Sequence, residues 1–275
     1  MSPVTPSFSI ITVCYNSATT LAETIVSVNQ QAYPPLLVEH VIVDGGSTDH
    51  TLQIIDTYPP IHSRTVVSEK DRGIYDAMNK GIALAKNDWL CFLNSDDQFA
   101  DTHVLSKIAQ TISENPSLNL VYGKVAMIQD GVLINYIGKP IEPKDYWYPC
   151  HCMCHQAIFF HRSLFQTYGL FEVGIAGGIS DYIWLAKFFN THPTGVQFVN
   201  KVISNFTEDG HSLIHVWDAY RSLLRFAHSF FPWSIRMRFY MQWPKKFLKF
   251  KVFQLHKDTL FRRAYRKFKN HLRHT

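Results

Sequence analysis

The stretch that decides the fold is Asp88-Trp-Leu-Cys-Phe-Leu-Asn-Ser-Asp-Asp97. Its five consecutive apolar or aromatic residues are long enough for one buried strand and too short for a helix. They end abruptly in a polar turn, so Asp96 and Asp97 lie at the carboxyl end of the predicted strand. Adjacent carboxylates repel each other unless a cation neutralises them, and hard oxygen ligands suit Mg²⁺ or Mn²⁺. A polar turn that merely caps a core strand is the alternative explanation.

Strands and helices alternate on the N-terminal side of this stretch. We predict strands over 9–13, 38–43 and 64–68, each followed by a helix: about 19–31, around Leu52, and 74–85. This alternation over about 97 residues predicts a doubly wound parallel sheet. In such sheets the carboxyl ends of the strands share one edge, where ligands bind. The polar loops after the four strands therefore predict a binding site.

The helix starts and the C-terminal half give further expectations. Ser17 or Thr19 is expected to cap the first helix, and Ser47 or Thr48 the second. Beyond the central stretch we predict a helix capped by Asp101, a strand over 118–122, a hairpin over 125–136 turning at Asp130-Gly131, a strand over 157–161, a helix near Leu164 and a helix opened by Ser180-Asp181.

Composition excludes several classes of protein. Hydrophobic residues make up 46% of the chain and charged residues 18%, so we expect a sizeable core and no wholesale disorder. No apolar run approaches the ~18 residues of a membrane span, and we expect no signal peptide. The five cysteines suit a reducing cytosol. Cys150, Cys152 and Cys154 invite a zinc interpretation, but their alternate spacing is also that of buried or loop thiols.

Charge divides the chain into two predicted regions. Residues 218–275 carry 15 Lys and Arg against 2 acidic residues, a balance of +13, whereas residues 1–217 carry a balance of −8. The basic region could be a solvated helical face or a nucleic-acid-binding surface. Its interleaved Trp and Phe favour attachment to an anionic membrane surface. We expect no nucleic-acid partner, because the sequence contains no recognisable RNA- or DNA-binding module.

A set of motifs, taken in order, resembles family 2 glycosyltransferases of the GT-A fold. It is similar to the branch that builds bacterial capsules, O-antigens, colanic acid and glycolipids, and it covers about residues 8–212. The resemblance implies an α/β GT-A fold, a Rossmann-like, mostly parallel sheet with helices on both faces, here followed by a basic helical C-terminal region. The matching motifs are Ser9–Asn16, Val43–Asp49, Ser68–Gly81, Phe92–Asp97, Cys154–Phe160 and Ser180–Trp184.

The resemblance also implies roles for individual residues in a metal-dependent, inverting transferase that uses a UDP- or GDP-sugar. Tyr15 and Asp44 would border the nucleobase, and Asp71 would lie beside the donor. Asp96 and Asp97 would be the metal and donor-ribose carboxylates, with Mn²⁺ or Mg²⁺ as the ion. The catalytic base would be Asp181.

Other positions stay open in this comparison. Many family members have two acids where this chain has Asp44-Gly45, and the usual Asp-x-Asp-Asp is here Asn94-Ser-Asp-Asp97. His211 is a candidate metal ligand or a plain loop histidine. His155 either shapes the acceptor pocket or is a structural histidine.

The expected function is transfer of a sugar to a lipid-linked saccharide or glycolipid in surface-polysaccharide biosynthesis. We expect residues 1–217 to form the catalytic domain and residues 218–275 to attach it to the cytoplasmic face of the plasma membrane. A non-catalytic protein that binds nucleotide-sugar or glycan on the same fold is the alternative. Asp181, expected in the first turn of a helix, would stay ionised beside the positive helix N-terminus, although there it could also simply cap the helix.

Overall fold

The computed structural model describes residues 5–129, 131–149, 152–207, 216–237 and 240–241. Two series of elements make up the fold, and their bounds are as follows. The strands are β1 (Phe8–Cys14), β2 (Val38–Asp44), β3 (Ser63–Ser68), β4 (Trp89–Phe92), β5 (Asp97–Phe99), β6 (Leu120–Gln129), β7 (Val132–Ile137), β8 (Ile158–His161) and β9 (Val196–Thr207). The helices up to Phe230 are α1 (Leu21–Asn29), α2 (Thr51–Thr57), α3 (Ile74–Leu84), α4 (Val104–Glu114), α5 (Ser163–Tyr168), α6 (Ser180–Phe189) and α7 (Val216–Phe230).

The sheet confirms the predicted α/β class. Its strand order is β3-β2-β1-β4-β8-β6-β9-β5, with β7 paired to β6. The four predicted N-terminal strands run parallel, because β1 pairs in parallel with β2 and β4, and β2 with β3. Strand β8 is antiparallel to both of its neighbours, and β5 is antiparallel to β9. The four parallel strands therefore deliver their following loops to one edge.

Both faces of the sheet are buried. In β4, Leu90 and Phe92 point into one hydrophobic cluster together with Trp184 of α6, while Trp89 and Cys91 point into another together with Leu105 of α4. Strands covered on both faces read as continuous apolar runs rather than as alternating ones. This explains the unbroken apolar stretch from which the fold was predicted.

Gly81 allows α3 to lie close against β1. A Cβ atom on Gly81 would come 2.4 Å from Cγ2 of Ile11, far inside van der Waals contact. The helix that this contact fixes begins three residues after Asp71, so the sheet sets the position of the loop carrying that residue.

Three predicted helix caps are wrong. Helices α1 and α2 begin after Thr20 and His50, and neither has a side-chain cap. The Ser17 hydroxyl instead donates to the Tyr15 carbonyl, and the Ser47 hydroxyl is held by Asp44. Helix α4 begins after His103, whose backbone N–H donates to Asp101, so Asp101 lies outside the helix.

The C-terminal half was predicted in part. The hairpin lies where expected, with Gly131 between β6 and β7, although β6 is one strand rather than two. Helices α5 and α6 and strand β8 match the prediction. Strands β5 and β9 were not predicted.

The chain divides into two compact units, Met1–Ser222 and Leu223–Thr275. The predicted boundary between residues 217 and 218 stays a prediction. Within the described residues, no helix is both long enough and apolar enough to span a bilayer. Most of the predicted basic tail, residues 242–275, lies outside the described residues.

Candidate active site

Tyr15, Gly45 and Asp71 lie together at the shared edge of the parallel strands. Tyr15 follows β1 and is 61% exposed. A Cβ atom on Gly45 would lie 2.5 Å from Oδ2 of Asp71 and 3.5 Å from Cδ2 of Tyr15. The other oxygen of Asp71, Oδ1, accepts a hydrogen bond from the Gly73 backbone N–H at 2.8 Å. The missing side chain at position 45 therefore leaves the space that the Asp71 carboxylate fills.

Asp44 is fully buried at the end of β2. Its Oδ2 accepts hydrogen bonds from the Ser68 hydroxyl at 2.6 Å and from the backbone N–H groups of Ser47 and Gly46. Its Oδ1 accepts from the Ser47 hydroxyl. Burial alone would raise the pKa of Asp44, but these hydrogen bonds from Ser47, Ser68 and Gly46 outweigh it and lower the pKa. In this geometry Asp44 organises the loop beside Tyr15, and its contact with a nucleobase stays a prediction.

The turn after β4 is tied to the same edge. The Ser95 hydroxyl donates to the Ser17 hydroxyl at 2.8 Å, and the Thr24 hydroxyl donates to the backbone carbonyl of Asp97 at 2.7 Å. Asp96 is half-buried, whereas Asp97 is fully buried. These contacts fix the two adjacent carboxylates next to the loop that carries Tyr15.

The Asp97 carboxylate is poorly satisfied, because burial outweighs the interactions with His155, Asn94 and Gln156 that lower its pKa. Neither of its oxygens makes a hydrogen bond of normal geometry to any described residue. Burial disfavours the charged form and Asp96 adds a like charge, so the pKa of Asp97 is raised well above its usual range. A buried carboxylate in this state is costly unless a cation or a proton compensates it.

The donor set fits a hard divalent cation bound jointly with a phosphate. Mg²⁺ in particular is commonly held by one or two carboxylates together with substrate phosphates and water. Within the described part of the chain, no group of three or more His, Cys, Asp and Glu residues forms a metal cluster. His211, the further candidate ligand, lies outside the described residues.

The zinc interpretation of the cysteine motif gains no support. Cys150 lies outside the described residues. Cys152 is fully buried, and burial raises the pKa of its thiol to about 11. Burial likewise raises the pKa of Cys154 to about 12, with Asp181 and Asp97 adding to the effect. Zinc binds thiolates, so these two protonated thiols are poor ligands as they stand.

Asp181 lies in the first turn of α6, as predicted, and two side chains from other elements hold its carboxylate. The Tyr75 hydroxyl of α3 donates to Oδ1 at 2.6 Å, and Nδ1 of His155 lies 3.1 Å from Oδ2. Burial works against the ionised carboxylate. Hydrogen bonding and charge from His155, followed by the hydrogen bonds from Tyr75 and the Tyr182 backbone, outweigh burial and lower the pKa of Asp181. Asp181 is therefore an anion at neutral pH.

His155 connects Asp181 to the acidic turn. Its Nε2 lies 3.2 Å from Nδ2 of Asn94, while Oδ1 of Asn94 is buried without a partner among the described residues. Rotating the amide by half a turn would put Oδ1 against a protonated Nε2, so that both ring nitrogens would donate. The pKa values agree, since Asp181, Asp97 and Asp96 together outweigh the effect of burial and raise the pKa of His155. The geometry and the raised pKa of His155 thus both favour a protonated ring between Asp181 and Asn94.

Sequence reasoning assigned no role to Tyr75, although the residue stands inside a quoted motif. Its place on the helix that follows Asp71 was visible in the sequence. Its contact with Asp181 spans 106 residues and requires the tertiary fold. Local periodicity alone could not have found it.

Residues 9–169 match the model of the family described as glycosyl transferase family 2. A PGL/p-HBAD biosynthesis glycosyltransferase of Mycobacterium bovis is 33% identical over 207 residues, which cover 74% of this chain and 78% of that protein. An uncharacterized glycosyltransferase of Mycobacterium tuberculosis is 33% identical over 174 residues, covering 62% of this chain and 65% of that one.

Two solved structures share the fold. S. aureus TarS 1–349 in complex with UDP-GlcNAc superposes with a TM-score of 0.68 at 19% identity, and the match covers 80% of this chain and 65% of TarS 1–349. The mannosyltransferase PcManGT of Pyrobaculum calidifontis, in complex with GDP-Man and Mn²⁺, gives a TM-score of 0.55 at 18% identity and covers 82% of this chain and 64% of that one. This chain thus spans slightly less than two thirds of each solved relative. At these identities the likeness shows the fold alone.

Proposed function

The chain belongs to glycosyl transferase family 2 and is a glycosyltransferase, and from this premise we propose that it transfers a sugar with inversion from a nucleotide-diphosphate sugar to a lipid-linked saccharide or glycolipid. The observation that carries the proposal is the buried, ionised Asp181, linked through His155 to the turn containing Asp96 and Asp97. A base and a site for a diphosphate are the two parts that a single displacement needs.

The proposed step conserves atoms and charge as follows. The acceptor hydroxyl oxygen bonds to the anomeric carbon as the bond from that carbon to the diphosphate oxygen breaks. The bonding electron pair leaves with the nucleoside diphosphate, and the hydroxyl proton passes to the Asp181 carboxylate. Attack from the face opposite the leaving group inverts the anomeric configuration. The lowered pKa of Asp181 keeps it deprotonated and ready to accept the proton at neutral pH.

We assign the donor to the edge formed by Tyr15, Gly45 and Asp71. The exposed Tyr15 ring offers a face for a nucleobase, and Oδ2 of Asp71, directed at Gly45, offers an acceptor for a base N–H. TarS with UDP-GlcNAc and PcManGT with GDP-Man, which share the fold, make a uridine or guanosine donor the natural choice to test.

Asp97, with Asp96 beside it, is the proposed holder of Mn²⁺ or Mg²⁺. The two unpartnered oxygens of Asp97 support this assignment. A bound divalent ion would neutralise the charge that develops on the leaving diphosphate. In this chain Thr24 and Ser95 hold the turn so that the carboxylates stay beside the donor edge.

The lipid-linked acceptor and the membrane attachment belong to the same proposal. The +13 balance of residues 218–275 and the aromatic residues among them support attachment to an anionic cytoplasmic membrane face. A relative named for PGL/p-HBAD biosynthesis is compatible with a glycolipid product. We propose no nucleic-acid partner.

The test has two stages. UDP-, GDP- and dTDP-sugars are first screened with Mn²⁺ for thermal stabilisation, because a ligand bound by the native state alone raises its stability. The best donor is then incubated with a glycolipid acceptor, and the anomeric configuration of the product is read by NMR. A product that retains the donor configuration would overturn the inverting mechanism.

Asp181→Asn tests the base in the same assay. The substitution keeps the size of the side chain and removes its basicity, so we expect turnover to fall by about 10²- to 10⁴-fold while donor-induced stabilisation is kept. Near-normal turnover would place the base elsewhere. Binding of donor without transfer or donor hydrolysis, by the unmodified chain with every acceptor tried, would favour the non-catalytic alternative.

A further inference from the structure

The two oxygens of Asp181 are held from opposite elements of the fold. Tyr75 reaches Oδ1 from α3, and His155 reaches Oδ2 from the short turn before β8. The Tyr75 contact, at 2.6 Å, is a short hydroxyl-to-carboxylate hydrogen bond, the kind that charge strengthens. A carboxylate bound at both oxygens cannot rotate freely about its terminal torsion.

The Tyr75 hydroxyl is placed by a packed core rather than by a loop. Tyr75 is 8% exposed, and its ring lies 5.7 Å from the ring of Phe171, centroid to centroid. Phe171 in turn packs against Phe92 of the central strand, at 5.3 Å between ring centroids. Close packing of this kind leaves the hydroxyl little freedom to move.

The same helix connects this hydroxyl to the donor side. Asp71 accepts the Gly73 N–H in the turn directly before α3, and Tyr75 is the second residue of that helix. Gly81 holds α3 against β1 further along. A shift of α3 would therefore move the Asp71 loop and the Tyr75 hydroxyl together.

We propose that Tyr75 is a positioning residue for the transfer reaction. Its hydroxyl fixes the Asp181 carboxylate, and Tyr75 itself touches neither the donor sugar nor the acceptor. The inference rests on the proposed role of Asp181 as the base. A base must lie within hydrogen-bond reach of the hydroxyl that it deprotonates, and a misplacement of about 1 Å can cost on the order of 10²-fold in rate. Tyr75 holds Oδ1 so that this orientation exists before the acceptor binds.

Tyr75→Phe removes the hydroxyl and keeps the ring against Phe171. We expect kcat to fall about 10- to 100-fold with the donor KM and the donor-induced rise in Tm unchanged. In the Asp181→Asn background the same substitution should change kcat by less than about twofold, because Tyr75 acts through the carboxylate that is no longer there. Single-turnover assays of the four proteins complete this double-mutant cycle.

Tyr122→Phe is the matched control. The Tyr122 hydroxyl is also buried in the core and donates to the Lys139 carbonyl at 2.9 Å, far along the sequence from α3. Its loss should lower Tm while leaving kcat unchanged. Circular dichroism of each variant shows whether its fold is kept.

Two results would overturn the inference. One is a Tyr75→Phe protein with unaltered kcat, and the other is an equal loss of kcat in both backgrounds, which would mean that the hydroxyl acts independently of Asp181. If Tyr75→Phe unfolds, Tyr75→Met, which keeps apolar volume without a hydroxyl, repeats the cycle. Normal turnover by the Asp181→Asn single variant would contradict the proposed function itself. That result would also remove the basis for positioning by Tyr75.

Discussion

At the scale of single residues, the site depends on which buried polar groups have partners. The Asp44 carboxylate is saturated by hydrogen bonds and that of Asp181 is held at both oxygens, whereas Asp97 has both oxygens unpartnered among the described residues. Native proteins rarely leave a buried polar atom unpaired without a reason. These three carboxylates therefore suit the different tasks that we propose for them: organising a loop for Asp44, accepting a proton for Asp181 and binding a cation for Asp97.

Asp97 gives the prediction on metal dependence. Chelation of divalent ions should abolish transfer, and Mn²⁺ or Mg²⁺ should restore it. In the unmodified chain the metal, with the donor present, should add about 2.7 kcal/mol to the free energy of unfolding at about 100 times its Kd. Asp97→Asn should lose this gain without unfolding, because the amide removes a buried charge that has no hydrogen-bond partner in the described residues. Urea titrations with and without metal measure it.

Asp88→Asn is the control, since Asp88 directly precedes β4, at the opposite end of that strand from Asp97. It should keep both transfer and the stabilisation by metal. Full transfer by the unmodified chain in excess chelator would contradict the assignment of Asp97.

Gly45 gives a prediction about the donor. A Cβ atom there would lie 2.5 Å from Oδ2 of Asp71, so Gly45→Ala must turn the Asp71 carboxylate away from its present place. The carboxylate is the end of a movable side chain, and we expect Tm to change little. The donor KM should rise by about 10-fold or more, the effect of losing one hydrogen bond of about 1.4 kcal/mol. Initial rates over a donor series measure it.

A second substitution separates this explanation from a general disturbance of the loop. Asp71→Ala should itself raise the donor KM. Adding Gly45→Ala to Asp71→Ala should then cost almost nothing more, since the displaced carboxylate is absent. Additive losses would show that Gly45 acts in some other way.

At the scale of elements, the sequence predicted those parts of the fold that depend on local pattern. The parallel strands β1 to β4 and the helices α3 and α6 were predicted because their apolar residues follow one period and turn residues bound them. Strand β5 has three residues, too few to show any period. It exists because Asp97, Gln98 and Phe99 pair with β9, at Ser204 to Phe206.

The candidate site follows the same division. Asp96 and Asp97 could be named from their place at a strand end, whereas the family resemblance named Tyr15, Asp44, Asp71 and Asp181. The structure brings Tyr15 near Asp71 and Asp181 near the acidic turn. The two serine caps were wrong because the Tyr15 carbonyl and Asp44 hold the hydroxyls of Ser17 and Ser47. Each of these acceptors lies within three residues of its serine, and a run of polar residues does not show which of several nearby acceptors a hydroxyl will take.

The end of β2 supplies an element-scale prediction on pH. Asp44 connects the β2 loop to the last residue of β3, Ser68. The pKa of Asp44 is lowered from 3.8 on folding, so its contribution to stability is complete above the unfolded value and is lost as pH falls through the folded value. Asp44→Asn should reduce the free energy of unfolding at pH 7 by about 1–3 kcal/mol. This deficit should shrink as pH falls below about 3.8.

Urea midpoints between pH 7 and pH 3 measure the deficit. Asp56→Asn, at an exposed position of α2, is the matched control and should show almost none. A deficit for Asp44→Asn that stays constant over the whole range would show that the lost contacts are not linked to ionisation of Asp44.

At the scale of the whole molecule, charge is divided unevenly along the chain. The first 217 residues are acidic overall, with a balance of −8, although they contain the proposed site for an anionic donor. In the proposed mechanism a bound metal beside Asp97 would supply local positive charge that the net charge of these residues does not. For the surplus of Lys and Arg at the C-terminal end we propose a different partner, an anionic membrane.

Truncation after residue 241 tests that partner without cutting α7. Leu223 and Ala227 of α7 are buried, so a cut at residue 217 would also remove core side chains. Residues 242–275 carry 11 Lys and Arg against one Asp. We expect the full chain to pellet with vesicles of phosphatidylserine and phosphatidylcholine, and the truncated chain to stay in solution. Each basic residue near anionic lipid contributes on the order of 1 kcal/mol, a contribution that salt weakens.

Salt and lipid charge separate the two forces in this experiment. Pelleting of the full chain should fall as salt rises and should nearly vanish with phosphatidylcholine alone. Any part that persists at high salt on anionic vesicles belongs to the aromatic residues, whose burial at the interface does not depend on screening. Substituting Lys245, Lys246, Lys249 and Lys251 by Gln should weaken binding at low salt and leave that persistent part unchanged. If the truncated chain and the full chain pellet equally, residues 242–275 do not hold this enzyme on a membrane.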